Sequence, residues 1–249
     1  MKVVAIIPAR MGSSRFSGKP LAPILGRPMI EHVYKRTAMS TMLNDVFVAT
    51  CDHEIKLAVE SFGGKAVMTA DTHERASDRI AEAATDIDAD IVVLVQGDEP
   101  MTVPEMIDAA VTPIKANIAV QCVNLTKRIT DETEFLSPNT IKVVMNKDND
   151  ALFMSRQPIP TWPQNDFAAV QAFKQVCIMP FRIEALKNYA ALDPTPLEIA
   201  ESVDMMRFLE HGVPVRMVES YFDSQAVDTP EDLDRVEELM RHDPLTATY

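Results

Sequence analysis

Cysteine is scarce in this chain: Cys51, Cys122 and Cys177 are the only three in 249 residues, odd in number and far apart. They suit a reducing compartment, not a disulfide scaffold, and show no metal-ligand spacing. Among the five histidines no pair has zinc spacing either. Long apolar runs are missing. Nothing approaches a membrane span, and the first run is cut by Pro8 and Arg10, too short for a signal peptide. Cations are in deficit, with 24 Lys and Arg against 37 Asp and Glu and a net charge of −13. That argues against nucleic acid as the main partner, because a polyanion needs an extended basic face. There is no internal repeat and no low-complexity tract. A cytoplasmic enzyme is the expectation. With 47% hydrophobic and 24% charged residues, the chain can build a sizeable core as one large domain or two small ones.

Glycine is also rare, seven in all, yet Gly12, Gly18 and Gly26 fall in the first 26 residues. Gly12 and Gly18 belong to the stretch IIPARMGSSRFSGKP, Ile6 to Pro20, which continues a short apolar run, Val3 to Ile7, read as a buried strand. Glycine lets backbone N–H groups approach a ligand closely, and successive N–H groups in a turn make an anion-binding concavity. Arg10, Arg15 and Lys19 sit in the same loop with Ser13, and no Asp or Glu precedes Glu31. Arg offers a planar fork to phosphate oxygens and Lys a mobile point charge. The loop is a basic island on an acidic chain, suited to focusing an anionic small molecule. It is neither a P-loop, since Pro20 follows Lys19, nor GxGxxG, and basic Gly-Ser loops often only turn the chain.

Further along, Pro28 opens a helical pattern, and Asp45 to Thr50 reads as a strand. His53 to Phe62 is a helix stopped by Gly63-Gly64, Lys65 to Met68 a short strand, and Thr72 to Ala84 a loop running into a helix. Ile91 to Val95, IVVLV, is a continuous apolar run of the kind found in parallel strands covered on both faces. Val103 to Lys115 is helical. This alternation argues for a doubly wound α/β fold. After about Ile118 the rhythm changes. Ile118 to Leu125, Ile141 to Met145, Ala151 to Met154 and Phe173 to Met179 read as strands, a β-rich insertion over 118–182 inside one domain whose α/β core is 1–117 and 183–249. Ile183 to Leu192, Leu197 to His211 and Glu231 to Met240 read as helices, Val213 to Val218 as a strand, and the tail from His242 as frayed.

Asp98 stands at the end of the IVVLV strand, in QGDEP, where ligands of open α/β sheets bind. A Mg²⁺ ion is typically held by one or two carboxylates plus substrate phosphates, so Asp98 is a candidate metal ligand. Asp228 opens VDTPEDL; its plain reading is a helix start, and a second metal carboxylate is the alternative. His73, Ser77 and Arg79 lie in HERASDR, and Arg156 follows a strand; polar loop and surface positions are the plain readings. The fifteen methionines mostly fill core.

The ordered set IPARMGSSRFSGKPLAPILGRPMIEHV, Gly63-Gly64, HERASDR, VQGDEP, PNTIKVV, MSRQPIP, PTPLE and VDTPEDL runs across almost the whole chain. It resembles the CMP-KDO synthetases, the 3-deoxy-manno-octulosonate cytidylyltransferases. The resemblance implies a Rossmann-like nucleotide-diphospho-sugar transferase fold with a mainly parallel sheet and a β-rich dimerisation subdomain. It also implies a Mg²⁺-dependent reaction of CTP with a 3-deoxy sugar acid in lipopolysaccharide biosynthesis, giving CMP-sugar and pyrophosphate, in a homodimer. By that resemblance Arg10, Arg15 and Lys19 hold the CTP phosphates and act in catalysis. Ser13, His73, Ser77, Arg79 and Gln96 lie at the nucleotide, Asp98 and Asp228 hold Mg²⁺, and Arg156 meets the acceptor carboxylate.

The chain departs from the family pattern mainly in the expected sugar pocket. Gln175 replaces a His, Cys177 a Gly, Met179 a Tyr, and Asp204-Met205 a Glu-Gln pair. In the nucleotide region Ser17 replaces a Pro, and Arg75-Ala76 replaces a Ser-Gly pair. Two enzyme readings follow, a cytidylyltransferase for KDO and one for an 8-amino variant or another small acid such as a phosphonate. A nucleotide-binding regulatory module is the reading from another class. Two metal carboxylates beside Lys19 count against it, since binding alone does not require them.

Overall fold

A computed structural model describes residues 1–12, 16–162, 166–223 and 225–249 of the chain. The first half contains strands β1 (Val3–Ala9), β2 (Pro23–Ile24) and β3 (Arg27–Pro28), helix α1 (Met29–Ala38), β4 (Asp45–Thr50), α2 (His53–Ser61), β5 (Ala66–Met68), α3 (Ala76–Ala83), β6 (Ile91–Val95) and α4 (Pro104–Ala116). There follow β7 (Val123–Arg128), α5 (Glu132–Leu136), β8 (Lys142–Met145), β9 (Ala151–Ser155), β10 (Phe173–Val176) and β11 (Ile178–Arg182). The remainder is α6 (Ile183–Ala191), α7 (Pro196–Glu201), α8 (Met205–Glu210), β12 (Arg216–Glu219) and α9 (Pro230–Arg241). The fold is α/β. None of the described helices is long and apolar enough to cross a membrane.

Two compact units divide the chain. One is Met1–Asp108 with Phe222–Tyr249, the other Ala109–Tyr221. In the first unit β6, β1, β4 and β5 lie side by side, every neighbouring pair parallel. β6 is buried at all five positions and β1 at six of seven, which is why both read as unbroken apolar runs. Leu25 and Gly26 both have positive φ, 49° and 81°, and close the β2–β3 hairpin. Two residues in that region give the tight turn whose twist matches antiparallel strands. Helix α9 buries Val236 and Met240 against Ile24 and Met29, with Val227 in the same cluster. Each such side chain contributes about 1.5–3 kcal/mol of apolar burial. This packing holds the 227–228 segment in place.

The tail is not frayed. Arg36, fully buried on α1, bonds Asp243, Thr246 Oγ1 at 2.8 Å and the Tyr249 hydroxyl at 3.0 Å. His32 reaches the same hydroxyl at 2.9 Å, and residues Pro244–Thr248 form a 3-10 turn. A charge buried this deeply must be paired, and the tail supplies its partners.

In the second unit the strand order is β12-β7-β10-β8-β9, with β12–β7 parallel and the other pairs antiparallel. Residues 183–221, grouped by sequence rhythm with the nucleotide-binding core, lie here, because β12 pairs with β7. The strand expected over 118–125 starts only at Val123. Before it the Arg182 guanidinium collects the carbonyls of Ile114, Asn117, Ile118 and Val120, which closes the end of α4 as a turn. The strand expected over 173–179 is two strands, interrupted at Cys177. The single helix expected over 197–211 is also two. Ser202 at φ 53° ends α7 in the left-handed region, and α8 restarts at Met205. The two are tied by a buried ion pair, Arg207 to both oxygens of Glu198 at 2.8 and 2.7 Å.

Candidate active site

The carboxyl ends of β1 and β6 open into a cleft lined by Arg10, Gly12, Lys19, His73, Arg75, Arg79, Gln96 and Asp98, among others. Its floor is set by close backbone packing. A Cβ on Gly97 would lie 2.7 Å from the Pro8 carbonyl oxygen, so only glycine lets the QGDEP turn approach β1 this closely. The opening loop is pinched where the Gly18 N–H donates to the Met11 carbonyl at 3.1 Å, with Gly18 itself at φ 74°. The Met11 N–H is in turn held by Asp52 Oδ2 at 2.7 Å. Sequence reasoning missed Asp52. Its place two residues past the end of β4, beside a strand whose carboxyl end meets the cleft, is the signal that could have found it. Ser13 and Arg15 lie outside the described residues.

At the base of the cleft three sequence-predicted residues come together. Lys19 Nζ donates to Asp98 Oδ2 at 2.8 Å and to the Val227 carbonyl at 2.7 Å, and lies 3.5 Å from Asp228 Oδ1. The Val227 N–H donates to the Asp98 carbonyl at 2.9 Å, which fastens the two carboxylate-bearing segments side by side. The cap of α9 is Thr229, in a reciprocal capping box with Asp232. The carboxylate of Asp228 is therefore not needed for capping and turns toward Lys19.

Among the described residues no group of three or more His, Cys, Asp or Glu is arranged to hold a metal. A pair of carboxylates is nevertheless what a Mg²⁺ ion needs when substrate phosphates supply further oxygens. A cation, the Lys19 ammonium, already stands between Asp98 and Asp228. The donor set fits the ion.

The other wall of the cleft is the start of α3. Its N-cap residue is Arg75, whose side chain makes no capping bond among the described residues. Arg79 is buried, with Nη1 on Thr69 Oγ1 at 2.6 Å and on the Ala70 carbonyl at 3.2 Å. Its Nη2 is buried without a hydrogen-bond partner among the described residues. An unsatisfied buried donor is costly, and at a cleft wall it points to a ligand acceptor. Ser77 is buried beside it. His73 Nε2 bonds Glu82, whose carboxylate also takes the Ala70 N–H. Burial pushes the Glu82 carboxyl up, but the His73 and Ala70 bonds outweigh it and hold it below the usual range.

The residues assigned to the acceptor all lie in the second unit. Arg156 is half-buried; Nε donates to the Glu201 carbonyl, Nη1 to that of Pro138 and Nη2 to that of Ser202, at 2.8, 3.1 and 3.2 Å. Gln175 Nε2 donates to Asn124 Oδ1 at 2.6 Å. Met179 is buried, and Met205 is fully buried with Cys122 Sγ 3.8 Å from its sulfur. Asp204 sits at the start of α8, its carbonyl accepting from the Tyr189 hydroxyl at 3.3 Å.

A parallel sheet whose strand ends carry a cationic loop, a helix start and a carboxylate pair around a lysine is an arrangement suited to a nucleotidyltransferase. The cytidylyltransferase family matches residues 4–215. A 3-deoxy-manno-octulosonate cytidylyltransferase from Geobacter metallireducens is 46% identical, over 96% of this chain and 98% of its own length. Proteins of the same description from Geotalea uraniireducens and Syntrophus aciditrophicus are 44% and 43% identical, over 97% and 96% of this chain and 100% and 97% of their own. The structure of a CMP:2-keto-3-deoxy-manno-octonic acid synthetase complexed with CTP superposes with a TM-score of 0.91 at 40% identity, covering 97% of this chain and 99% of that one. A cytidylyltransferase from Leptospira borgpetersenii, at 18% identity and a TM-score of 0.66, covering 98% of this chain and 88% of that one, shares the fold. The chain belongs to the cytidylyltransferase family and, within it, to the CMP-KDO synthetases, and is a nucleotidyltransferase.

Proposed function

We propose that this enzyme transfers the cytidylyl group of CTP to the anomeric hydroxyl of KDO or a close relative in a Mg²⁺-dependent reaction. The observation that carries this reading is the Lys19 ammonium held between Asp98 and Asp228 at the base of a cationic cleft. The anomeric oxygen forms a bond to the α-phosphorus and gives up its proton to solvent or the leaving group, the bond from that phosphorus to the bridging oxygen breaks, and pyrophosphate leaves. Such a transfer needs in-line positioning and neutralised phosphate oxygens. Arg10 and Lys19 supply fixed positive charge in the described part of the loop, and Arg79 offers its unsatisfied Nη2 to the nucleotide. Asp98 and Asp228 would hold the Mg²⁺, which when bound makes a coordinated hydroxyl more acidic and screens phosphate charge. No histidine base is then required. Arg156 has five N–H donors and spends three on carbonyls, leaving one on each terminal nitrogen for a carboxylate. The second unit would serve as the dimerisation subdomain of a cytoplasmic homodimer.

A second reading is favoured by the replaced pocket positions. Met179 and Met205 are apolar and buried, and the Gln175 amide is engaged by Asn124. Losing a His and a Tyr there removes hydrogen-bonding capacity, and sites built to bond a hydroxyl discriminate most strongly. An amino-substituted acid with a carboxylate for Arg156 then becomes the better acceptor, or a phosphonate takes its place. Pyrophosphate release from CTP and Mg²⁺ with KDO, 8-amino-KDO and small phosphonates tests both readings. A tenfold or greater kcat/KM preference for KDO, about 1.4 kcal/mol, would overturn the second. No release with any acceptor would overturn the first.

A further inference from the structure

The mechanism above leaves several buried cations unused, and one of them bonds a residue assigned to the acceptor. Lys142, on β8, has no solvent-exposed surface. Its ammonium has three N–H donors, and all three are spent on main-chain carbonyls: Ser137 at 2.8 Å, Thr140 at 2.7 Å, and Arg156. Among the described residues no carboxylate pairs with it directly. A charge removed from water is retained only when its donors are met with good geometry, and here the acceptors come from two places. Two belong to the 137–140 turn. The third is the residue assigned to the acceptor.

The same turn returns to that residue. Pro138, between the two carbonyls that Lys142 grips, accepts a hydrogen bond from Arg156 Nη1 on its own carbonyl oxygen at 3.1 Å. From the other side Glu201 takes the Arg156 N–H at 2.9 Å and the Ser155 hydroxyl at 2.9 Å on its carboxylate, and the Arg156 Nε on its carbonyl. Arg156 is thereby clamped at its N–H, its carbonyl and its guanidinium. An arginine at a strand end has several rotatable bonds, and holding it costs rotamer entropy. Prior fixation removes that cost from the binding step.

We propose that Lys142 is a positioning residue for acceptor binding, holding the Arg156 main chain and the 137–140 turn so that the guanidinium is set before the acceptor arrives. This rests on the reading of Arg156 as the acceptor-carboxylate ligand. Lys142 touches no substrate itself and acts through Arg156.

The test uses the full-length enzyme, with KDO as the acceptor probe and CTP with Mg²⁺, reading pyrophosphate release. Lys142→Met should raise KM for KDO at least tenfold and leave KM for CTP within twofold. Glu201→Gln, which leaves Lys142 in place, should raise KM for KDO severalfold and supplies the reading if Lys142→Met does not fold. Arg156→Ala should raise KM for KDO as much or more, and adding Lys142→Met to it should bring less than a threefold further change. Parallel increases in both KM values, or losses that multiply in the double variant, would overturn the proposal, since a general structural role does both. Arg156→Ala with unchanged KM for KDO would overturn the role of Arg156 itself. A rise in Arg156→Ala beside unchanged values in Lys142→Met and Glu201→Gln would overturn the role of Lys142 alone.

Discussion

Replacing Lys19 by Met keeps most of the side-chain length and deletes the ammonium. That ammonium lies 2.8 Å from Asp98 Oδ2 and 3.5 Å from Asp228 Oδ1, with both carboxylates about 30% exposed. At an effective dielectric of about 20 the two pairs amount to about 6 and about 5 kcal/mol of gross Coulomb attraction. Most of this is offset by desolvation, because measured values for solvent-accessible pairs are about 0.2–1 kcal/mol each. A net value of about 1–2 kcal/mol for the whole arrangement is the reasonable sum. A divalent cation that takes the two carboxylates must give up that sum by displacing Lys19. In nucleotide-free Lys19→Met, Mn²⁺ should therefore bind about 5–30-fold more tightly, at about 1.4 kcal/mol per factor of ten. Turnover should move the other way, slowing by about 10²–10³-fold, because a preorganised cation aimed at developing phosphate charge is lost. Electron paramagnetic resonance of Mn²⁺ and pyrophosphate release from CTP measure the two effects on the same preparation. Unchanged or weaker Mn²⁺ binding would refute the claim that Lys19 occupies the cation's place between Asp98 and Asp228.

Asp98→Asn and Asp228→Asn should each remove most turnover with an unchanged circular dichroism spectrum; near wild-type rates in either would remove that residue from the metal site. Gly97→Ala puts a Cβ 2.7 Å from a backbone oxygen, so β1 or the QGDEP turn must shift. A loss of about 1–3 kcal/mol in urea unfolding and a lower kcat are expected, and an unaltered midpoint with full activity would show that the approach is not tight. His32 is buried and donates from Nε2 to the Ile24 carbonyl, so its neutral ring accepts from Tyr249 at Nδ1. Burial lowers its pKa, the Ile24 bond partly restores it, and Arg36 lowers it further. A depressed folded pKa means that the unfolded chain takes the proton first as pH falls. This contribution to stability is fully present above about pH 6.5, the ordinary His value, and is lost as pH falls through the folded pKa. Unfolding midpoints at pH 7 and pH 5 should differ less in His32→Gln than in the parent chain, and equal differences would exclude His32 as the titrating group.

Short-range physics accounts for what could be read without coordinates. Ile91–Val95 was legible to the residue because a strand covered on both faces must be apolar throughout, and Asp45–Thr50 because a short apolar, β-branched run stands between polar segments. Likewise Arg10 and Asp98 were marked by their places after such strands and Lys19 by the basic loop that follows β1, and the ordered motifs across the chain carried the family. Ser202 was not legible as a helix break, because its left-handed backbone depends on the buried Glu198–Arg207 pair that ties α7 to α8, and helical periodicity runs through it. The tail read as frayed for the same reason. Its polarity is local, whereas the Arg36 charge that orders it lies 207 residues earlier. Lys19 meets Asp98 across 79 residues and the Val227 carbonyl across 208. Lys142 reaches Arg156 through a carbonyl that any residue would possess. Such pairings leave no mark on composition or spacing. Local pattern was enough for the parallel strands of the first unit, the family and the chemical kinds of residue at the site. Only the tertiary structure decided which charges face one another, because that depends on how distant segments pack and on which buried donors each carbonyl must satisfy.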